Sequence, residues 1–263
     1  MIDYGARLQT AVSLVRAAAP LALERFGRVC GQSKRDGTFV TQADKEVELQ
    51  LLAGLQANFP GEGIIGEETG SHPGEHSLVW SIDPIDGTAA YLCRLPSWGI
   101  SLGLIAEGQP ALGVVYLPAL DELYYGAKGC GAYMESPLWK KQRLDVSTAA
   151  LSQKENQILV PSTFHNRFTV DYKGKIRSLG STVAHAMMVA RGDAAGALMR
   201  VYHWDLAGSI PILLEAGGCV DYLDGRPFQI EELTKENPNL PVVILSHPKA
   251  RAKLLDNVFH LRP

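Results

Sequence analysis

Hydrophobic residues near the start of the chain recur every three to four positions, which predicts two amphipathic helices. The apolar stripe of the first helix comprises Leu8, Ala11, Val12, Val15, Ala19, Ala22 and Phe26. Gly27 closes this segment, and Pro20 inside it predicts a bend or a break. The stripe of the second helix comprises Val47, Leu51, Leu55 and Phe59. Thr41 and Asp44 have the spacing of a capping box, so we expect the second helix to begin there.

Short apolar runs follow the second helix, and they predict strands because Gly- and Pro-containing turns bound them. The strands predicted in the first half are residues 63–66, 77–82, 100–104, 113–116 and 122–125. The last three of these form a predicted antiparallel meander. The first half of the chain is therefore expected to pack helices against an antiparallel sheet.

The second half of the chain alternates between predicted strands and helices. A polar segment, residues 140–154, is expected to be the junction between the halves. The elements predicted beyond it are strands at 157–160, 195–199, 219–223 and 242–246 and helices at 182–191, 206–216 and from Pro248. Such alternation is typical of α/β proteins. We predict the α/β class, with an α+β N-terminal part at residues 1–146 and an α/β C-terminal part at residues 147–263.

Composition and charge are those of an ordinary globular protein and exclude several other classes. The chain has 263 residues, of which 46% are hydrophobic and 20% are charged, so we do not expect disorder. The net charge of −3 gives no basic excess, and we expect no nucleic-acid partner. The four cysteines are scattered, which favours neither a disulfide framework nor a zinc site. No apolar run approaches the roughly 20 residues of a membrane span, so we expect no membrane partner and a cytoplasmic location.

One strand-to-helix segment carries the most informative chemistry in the sequence. An apolar strand is expected to end at Asp83, where Pro84 disfavours helical geometry and turns the chain. Asp86 follows, and a helix can begin around Gly87 and Thr88. Two carboxylates on such a turn suit Mg²⁺, and the backbone N–H groups of the helix start suit phosphate. The alternative interpretation is that Asp86 and Thr88 only cap the helix.

Further acids lie in contexts that suit the same chemistry. Glu67 and Glu68 follow a short predicted strand, Asp205 lies at the start of an apolar helix, and Asp44 belongs to the capping box. Taken singly, each has a structural explanation, namely a solvated turn for the glutamates and a helix cap for the aspartates. Their joint occurrence, in this order, favours a common metal site.

As a set, these segments resemble the inositol monophosphatase-like family of magnesium-dependent, lithium-sensitive phosphatases. The matching segments are residues 40–44, 66–69, 83–88, 179–181, 204–208 and 215–218. The likeness runs from the first predicted helix to residues 242–246, nearly the whole chain. It implies a layered α-β-α-β-α sandwich of the inositol monophosphatase or sugar phosphatase type. It also implies a homodimer that hydrolyses a small phosphate monoester with Mg²⁺ and is inhibited by Li⁺.

The resemblance also implies roles for individual residues. Two or three Mg²⁺ ions per active site would be held by Glu67, Asp83, the carbonyl of Ile85, Asp86 and Asp205. Asp44 and Thr88 would polarise the water that attacks phosphorus, and Glu68 would help to orient it. The implied substrate contacts are Asp86, Gly87, Thr88, Gly180, Ser181, Thr182 and Arg200. Lys34 matches a family lysine near the metal site.

Two departures from the family pattern bear on the substrate. Ala90-Tyr91 stand where the family usually has Asn-Phe, and Leu198 stands where inositol-specific members carry a Glu. Inositol phosphate is therefore less favoured than in the typical member. Histidinol phosphate, a fructose bisphosphate and a phosphorylated adenosine nucleotide remain alternatives. Arg200 and His203 lie close in sequence and suit either a second anionic group or a surface loop.

The acids have two other interpretations. Haloacid-dehalogenase-like phosphatases carry an aspartyl nucleophile in Asp-x-Asp-Gly-Thr near the N-terminus. In this chain one extra residue separates Asp83 from Asp86, and the motif lies much further along. A catalytically silent module that binds sugar phosphate or metal is the other alternative. Such a module is expected to have lost part of the acidic set, whereas all of it is present here.

Overall fold

The structure of the chain is a computed structural model that describes residues 2–34, 38–146, 157–234, 237, 240–257 and 259–261. The helices in these ranges are α1 (Tyr4–Arg25), α2 (Gln42–Asn58), α3 (Thr88–Leu92), α4 (Thr182–Ala190), α5 (His203–Ala207), α6 (Ser209–Glu215) and α7 (Arg251–Asn257). The strands of the first half are β1 (Gln32–Ser33), β2 (Phe39–Val40), β3 (Gly63–Gly66), β4 (Gly70–His72), β5 (Leu78–Asp86), β6 (Gly99–Ala106), β7 (Gln109–Leu117), β8 (Glu122–Ala127), β9 (Gly131–Ser136) and β10 (Lys140–Arg143). Those of the second half are β11 (Gln157–Leu159), β12 (Phe168–Val170), β13 (Lys175–Arg177), β14 (Gly196–Met199), β15 (Cys219–Tyr222), β16 (Val243–Ser246) and β17 (Phe259–Leu261).

Two larger sheets organise these strands. The main sheet has eight strands in the order β10-β9-β8-β7-β6-β5-β3-β4, and its pairs are antiparallel except for β3 with β5. The second sheet has five strands in the order β13-β11-β14-β16-β15. In it β11 runs parallel to both neighbours, whereas β16 runs antiparallel to both of its neighbours. The predicted meander is confirmed as β6, β7 and β8.

Helices cover both faces of each large sheet. In β7, Val114 packs with α1 and α2, whereas the adjacent Val115 packs with α4 and α6. In β14, Met199 packs with α4 and α6, whereas the adjacent Leu198 packs with α7. Because adjacent side chains of a strand point to opposite faces, the layers follow the order α-β-α-β-α. This confirms the predicted α/β class and its layered sandwich.

Three local expectations were wrong, the first of them in part. Helix α1 continues through Pro20, which lies on its exposed side, so the predicted break does not occur. Strand β5 does not end at Asp83 but continues to Asp86, because a shift of register in its pairing with β6 accommodates Pro84. The predicted helix at 206–216 is two helices separated at Gly208. The backbone around Gly208 packs closely on β6 and β7. A Cβ atom on the glycine of either strand that faces it would overlap that backbone.

The predicted division at residues 146 and 147 remains a prediction. The polar segment 140–154 begins as strand β10, paired with β9 in the main sheet, and residues 147–156 lie outside the described ranges. None of the helices in the described ranges combines the length and the apolar character that crossing a bilayer requires. The cytoplasmic location likewise remains a prediction of the sequence.

Candidate metal centre

Three aspartates, two of them buried and one half-buried, meet where the end of β5 approaches α5. Asp83 and Asp86 lie on either side of the register shift in β5, and Asp205 lies in the first turn of α5. One carboxylate oxygen from each of them lies within 4.8 Å of the other two. The irregular end of β5 thus brings two acids of one strand toward the acid of another element, as the sequence predicted.

Asp83 is the unusual member of this cluster. Its side chain is 1% exposed, and neither carboxylate oxygen has a hydrogen-bond partner among the described residues. Burial, together with repulsion from Glu67, Asp86 and Asp205, raises the pKa of Asp83 well above its ordinary value. A buried carboxylate in this condition is stabilised only by a proton or a cation.

Asp86 and Asp205 are held by the protein itself. The hydroxyl of Ser181 and the backbone N–H of Val183, the latter 3.1 Å away, donate to Oδ2 of Asp86. Burial still raises the pKa of Asp86 to about 6, although these hydrogen bonds oppose the rise. The backbone N–H of Tyr202 donates to Oδ2 of Asp205 over 2.7 Å. Burial and repulsion from Asp86 raise the pKa of Asp205 well above its ordinary value.

Glu67 and Glu68 flank the cluster, and both contact the ammonium group of the same lysine. The Lys34 ammonium donates to Oε1 of Glu67 over 2.6 Å and also to Oε1 of Glu68. Burial raises the pKa of Glu67 to about 7, and the charge of Lys34 opposes the rise. For Lys34, burial alone lowers the pKa, but attraction to Glu67 and hydrogen bonds to both glutamates outweigh it and raise the pKa. The structure therefore places the matched lysine directly on a predicted metal ligand.

Asp44 is both a helix cap and a partner of Thr88. Its Oδ2 accepts from the backbone N–H of Thr41, at 2.7 Å, and from the Thr41 hydroxyl, at 2.6 Å. Its Oδ1 accepts from the Thr88 hydroxyl over 3.3 Å. Burial raises the pKa of Asp44 to about 6. The capping box thus uses one carboxylate oxygen and leaves the other for Thr88, so the structural and the catalytic interpretations are compatible.

Two adjoining cavities open onto the cluster. One, of about 330 Å³, is lined by Thr38, Phe39, Glu67, Asp83, Ile85, Asp86, Gly87, Thr88, Ala89 and Asp205. The other, of about 210 Å³, shares three of these residues and continues along Gly180, Ser181, Thr182, His185, Leu198 and Arg200. The predicted metal ligands therefore border the first cavity, and most of the predicted substrate contacts border the second.

A close approach of two turns joins the cavities. Gly87 has a φ of +81° and precedes α3, and Gly180 has a φ of +78° and precedes α4. A Cβ on Gly87 would lie 2.8 Å from the carbonyl oxygen of Gly180 and 2.9 Å from the Cβ of Ser181. Only glycine is compatible with both the positive φ and the limited space at this position. The approach brings Ser181 to Asp86.

Three further residues refine the predicted set. Arg200 lies exposed at the second cavity, with its Nε 3.3 Å from the carbonyl oxygen of Leu240. His203 is buried, with its Nδ1 3.3 Å from the hydroxyl of Ser81, so it is held in the interior rather than presented to an anion. Glu48, which the sequence analysis missed, is fully buried and accepts two backbone N–H groups of the turn at Glu67. The only feature of the sequence that could have identified Glu48 is an acidic residue next to the apolar stripe of α2.

The donor set fits Mg²⁺. The side chains proposed as ligands, those of Glu67, Asp83, Asp86 and Asp205, all offer carboxylate oxygens, the hard ligands that Mg²⁺ prefers. The oxygens of Asp83 support this fit independently, because they are buried and neither has a hydrogen-bond partner among the described residues.

Comparisons with known proteins agree with this geometry. The model of the inositol monophosphatase family matches residues 3–255. A histidinol-phosphatase of Chlorobaculum parvum is 40% identical over 232 residues, which cover 85% of this chain and 88% of that protein. A fructose-1,6-bisphosphatase/inositol-1-monophosphatase of Aquifex aeolicus is 33% identical over 254 residues, covering 92% and 95% of the two chains. The solved structure of a Thermotoga maritima IMPase superimposes with a TM-score of 0.79 at 27% identity, covering 95% of each chain.

Proposed function

The chain belongs to the inositol monophosphatase family, and from this premise we propose that it hydrolyses a small phosphate monoester with Mg²⁺ held by the buried acids described above. Hydrolysis of phosphate monoesters is the reaction of this family, so the chain is a phosphomonoester hydrolase. The observation that carries the metal assignment is Asp83, a buried carboxylate whose two oxygens have no partner among the described residues.

The proposed metal ligands are Glu67, Asp83, the carbonyl of Ile85, Asp86 and Asp205, with two or three ions per site. When bound, the cations would neutralise the phosphate charge and lower the pKa of a water molecule that they hold. The Lys34 ammonium lies 2.6 Å from Oε1 of Glu67 and opposes part of the negative charge that bound cations would also neutralise.

Asp44 and Thr88 are the proposed route for the proton. The Thr88 hydroxyl lies 3.3 Å from Oδ1 of Asp44 and 3.2 Å from the carbonyl oxygen of Ile85. When it donates to Asp44, its own oxygen can accept a hydrogen bond from the attacking water. Burial raises the pKa of Asp44 to about 6, which makes it a stronger proton acceptor than an ordinary aspartate. The backbone N–H groups of Gly87 and Thr88 are proposed to bind phosphate oxygens. Glu68 is proposed to help orient the water.

Histidinol phosphate is the substrate that we propose first. The similar histidinol-phosphatase of Chlorobaculum parvum supports this proposal. The apolar Leu198 in the second cavity supports it further, because inositol-specific members carry an acid at that position. A fructose bisphosphate is the second candidate, because the guanidinium of Arg200 borders the same cavity and suits a second phosphate.

A phosphate-release screen separates these candidates. Purified protein is assayed with histidinol phosphate, fructose 1,6-bisphosphate, inositol 1-phosphate and a 3′-phosphorylated adenosine nucleotide, with Mg²⁺, with EDTA, and with Mg²⁺ plus Li⁺. We expect the highest kcat/KM for histidinol phosphate, loss with EDTA and inhibition by Li⁺. The variant Arg200→Ala is expected to raise KM for the bisphosphate and to leave KM for histidinol phosphate within about 3-fold, because only the former brings a second anion. No release from any ester would overturn the proposal.

The homodimer implied by the family resemblance is part of the same proposal. It is tested by light scattering coupled to gel filtration. The expected mass is twice the 28.5 kDa of the chain. A mass of one chain at micromolar concentration would contradict it.

A further inference from the structure

Glu48 is a buried acid that the reaction itself does not use. It lies on α2 four residues after Asp44, and none of its side chain is exposed. Its Oε2 accepts from the backbone N–H of Glu68 at 2.9 Å, and its Oε1 accepts from that of Thr69 at 2.6 Å. Both bonds are charge-assisted, and bonds of this kind are stronger than those between neutral groups.

We propose that Glu48 is a positioning residue for the metal centre: its carboxylate fixes the turn after β3 so that Glu67 faces the cavity bordered by Asp83. This inference rests on the proposed function, because it assigns Glu48 to the metal site of that function. Glu67 begins this turn and borders the cavity together with Asp83. A residue that fixes the backbone immediately after a ligand acts on the metal without touching it.

The packing around Glu48 shows that the turn and the carboxylate are fitted to each other. A Cβ on Gly66, the last residue of β3, would overlap the Oε1 of Glu48. Gly66 has no positive φ, so the requirement for glycine here comes from space and not from backbone conformation. The turn can therefore approach α2 closely enough for two N–H groups to reach one carboxylate.

Helix α2 thereby holds two parts of the site in one rigid element. Asp44 in its first turn bonds Thr88, and Glu48 in the next turn bonds the backbone at Glu68 and Thr69. Residues four apart on a helix lie on the same face, so the two acids point toward the same side of α2. The spacing between the proposed proton acceptor and the Glu67 turn is thus set by one helix.

The test is Mg²⁺ binding by the full-length protein without substrate, measured by isothermal titration calorimetry with magnesium chloride. Glu48→Gln keeps the size of the side chain but places an amide NH₂ group against a backbone N–H. We expect its Kd for Mg²⁺ to rise roughly 10- to 100-fold, the usual effect of losing a residue that orients a ligand. At saturating Mg²⁺ its kcat should recover most of the wild-type value.

Glu215→Gln is the matched control. Glu215 also accepts two backbone N–H groups, those of Gly129 and Gly131, each at 2.8 Å, but it borders a different cavity. We expect its Mg²⁺ affinity to stay within about 2-fold of wild type. Gly66→Ala is a second variant, because its added Cβ displaces the Glu48 carboxylate, and it should weaken Mg²⁺ in the same way as Glu48→Gln.

The outcomes separate this inference from the proposed function. If the wild-type protein does not bind Mg²⁺, the proposed function fails and the inference fails with it. If the wild type binds Mg²⁺ and both Glu48→Gln and Gly66→Ala bind it equally well, only the inference is overturned. A drop in kcat at every Mg²⁺ concentration without a change in Kd would show a merely structural role, and it too would overturn the inference.

Discussion

The two sides of the metal centre are held in different ways. On the side that faces the starts of α4 and α5, Asp86 at the end of β5 and Asp205 receive hydrogen bonds from Ser181, Val183 and Tyr202. On the side formed by the main sheet, Asp83 receives none among the described residues. The protein therefore fixes the first side in advance, and under the proposed function the second side is the one that a bound cation would compensate. Binding of the cation is expected to be most sensitive to Asp83.

Loss of Asp83 is the largest expected effect. Asp83→Asn removes the acid that the proposed cation compensates, so kcat/KM should fall by about 10³-fold or more, since metal stabilisation is worth several kcal/mol and each 1.4 kcal/mol is roughly tenfold. Without metal, the melting temperature should not fall, because the variant removes a buried unpaired charge. Steady-state phosphate release measures kcat/KM, and thermal unfolding followed by circular dichroism measures the melting temperature. Asp224→Asn, at an exposed ion pair with Arg226, is the control, and near-native activity of Asp83→Asn would contradict the assignment.

Loss of the Thr88 hydroxyl should have a smaller effect, confined to the chemical step. Thr88→Ala is expected to lower kcat by about 10²-fold, the lower range for a positioned proton-transfer group, and to change KM by less than about 3-fold. Thr88→Ser retains the hydroxyl that bonds Asp44 and should keep most of the activity. Steady-state kinetics at saturating Mg²⁺ distinguish the two variants. A rise in KM with unchanged kcat would show that Thr88 serves binding instead.

The difference between the two sides also predicts how pH affects stabilisation by Mg²⁺. In the folded chain, burial raises the pKa of Asp86 to about 6 and that of Glu67 to about 7. Because the folded chain then binds protons more tightly than the unfolded chain, the metal-free protein loses stability as pH rises from about 4 to about 7, by roughly 1.4 kcal/mol per pH unit for each titrating group. Mg²⁺ competes with these protons, so it should stabilise the protein more at pH 8 than at pH 5.

Thermal unfolding in EDTA and in Mg²⁺ at the two pH values measures this effect. Mg²⁺ at 100 times its Kd is worth about 2.7 kcal/mol, or roughly 5–10 °C for a chain of this size. An equal shift at pH 5 and pH 8 would argue against carboxylates as the ligands.

Loss of Ser181 should have the smallest effect, because Asp86 keeps a second donor. Ser181→Ala removes one hydrogen bond to Asp86 and leaves the N–H of Val183 in place at 3.1 Å. We expect a loss of about 1–2 kcal/mol in the free energy of unfolding. We also expect the Kd for Mg²⁺ to rise less than 10-fold. Urea unfolding and calorimetry test this, and a rise as large as that for Asp83→Asn would remove the distinction between the two sides.

Local patterns predicted much of this fold and site. The capping box at Thr41 and Asp44, the start of α2 and the meander follow from neighbouring residues, and the structure confirms them. The acids were predicted to meet because their contexts resemble one family. The extension of β5 to Asp86 and the division at Gly208 were missed, because both depend on pairing or packing with residues distant in sequence. The role that we infer for Glu48 was missed for the same reason.

The most direct measurement of the central assignment is an anomalous difference map of crystals soaked in manganese chloride, because Mn²⁺ prefers the same oxygen ligands as Mg²⁺. The expected result is a peak within coordination distance of Asp83, Asp86 and Asp205, which is lost in Asp83→Asn. A peak elsewhere in the wild type, or one that survives in Asp83→Asn with unchanged ligands, would contradict it.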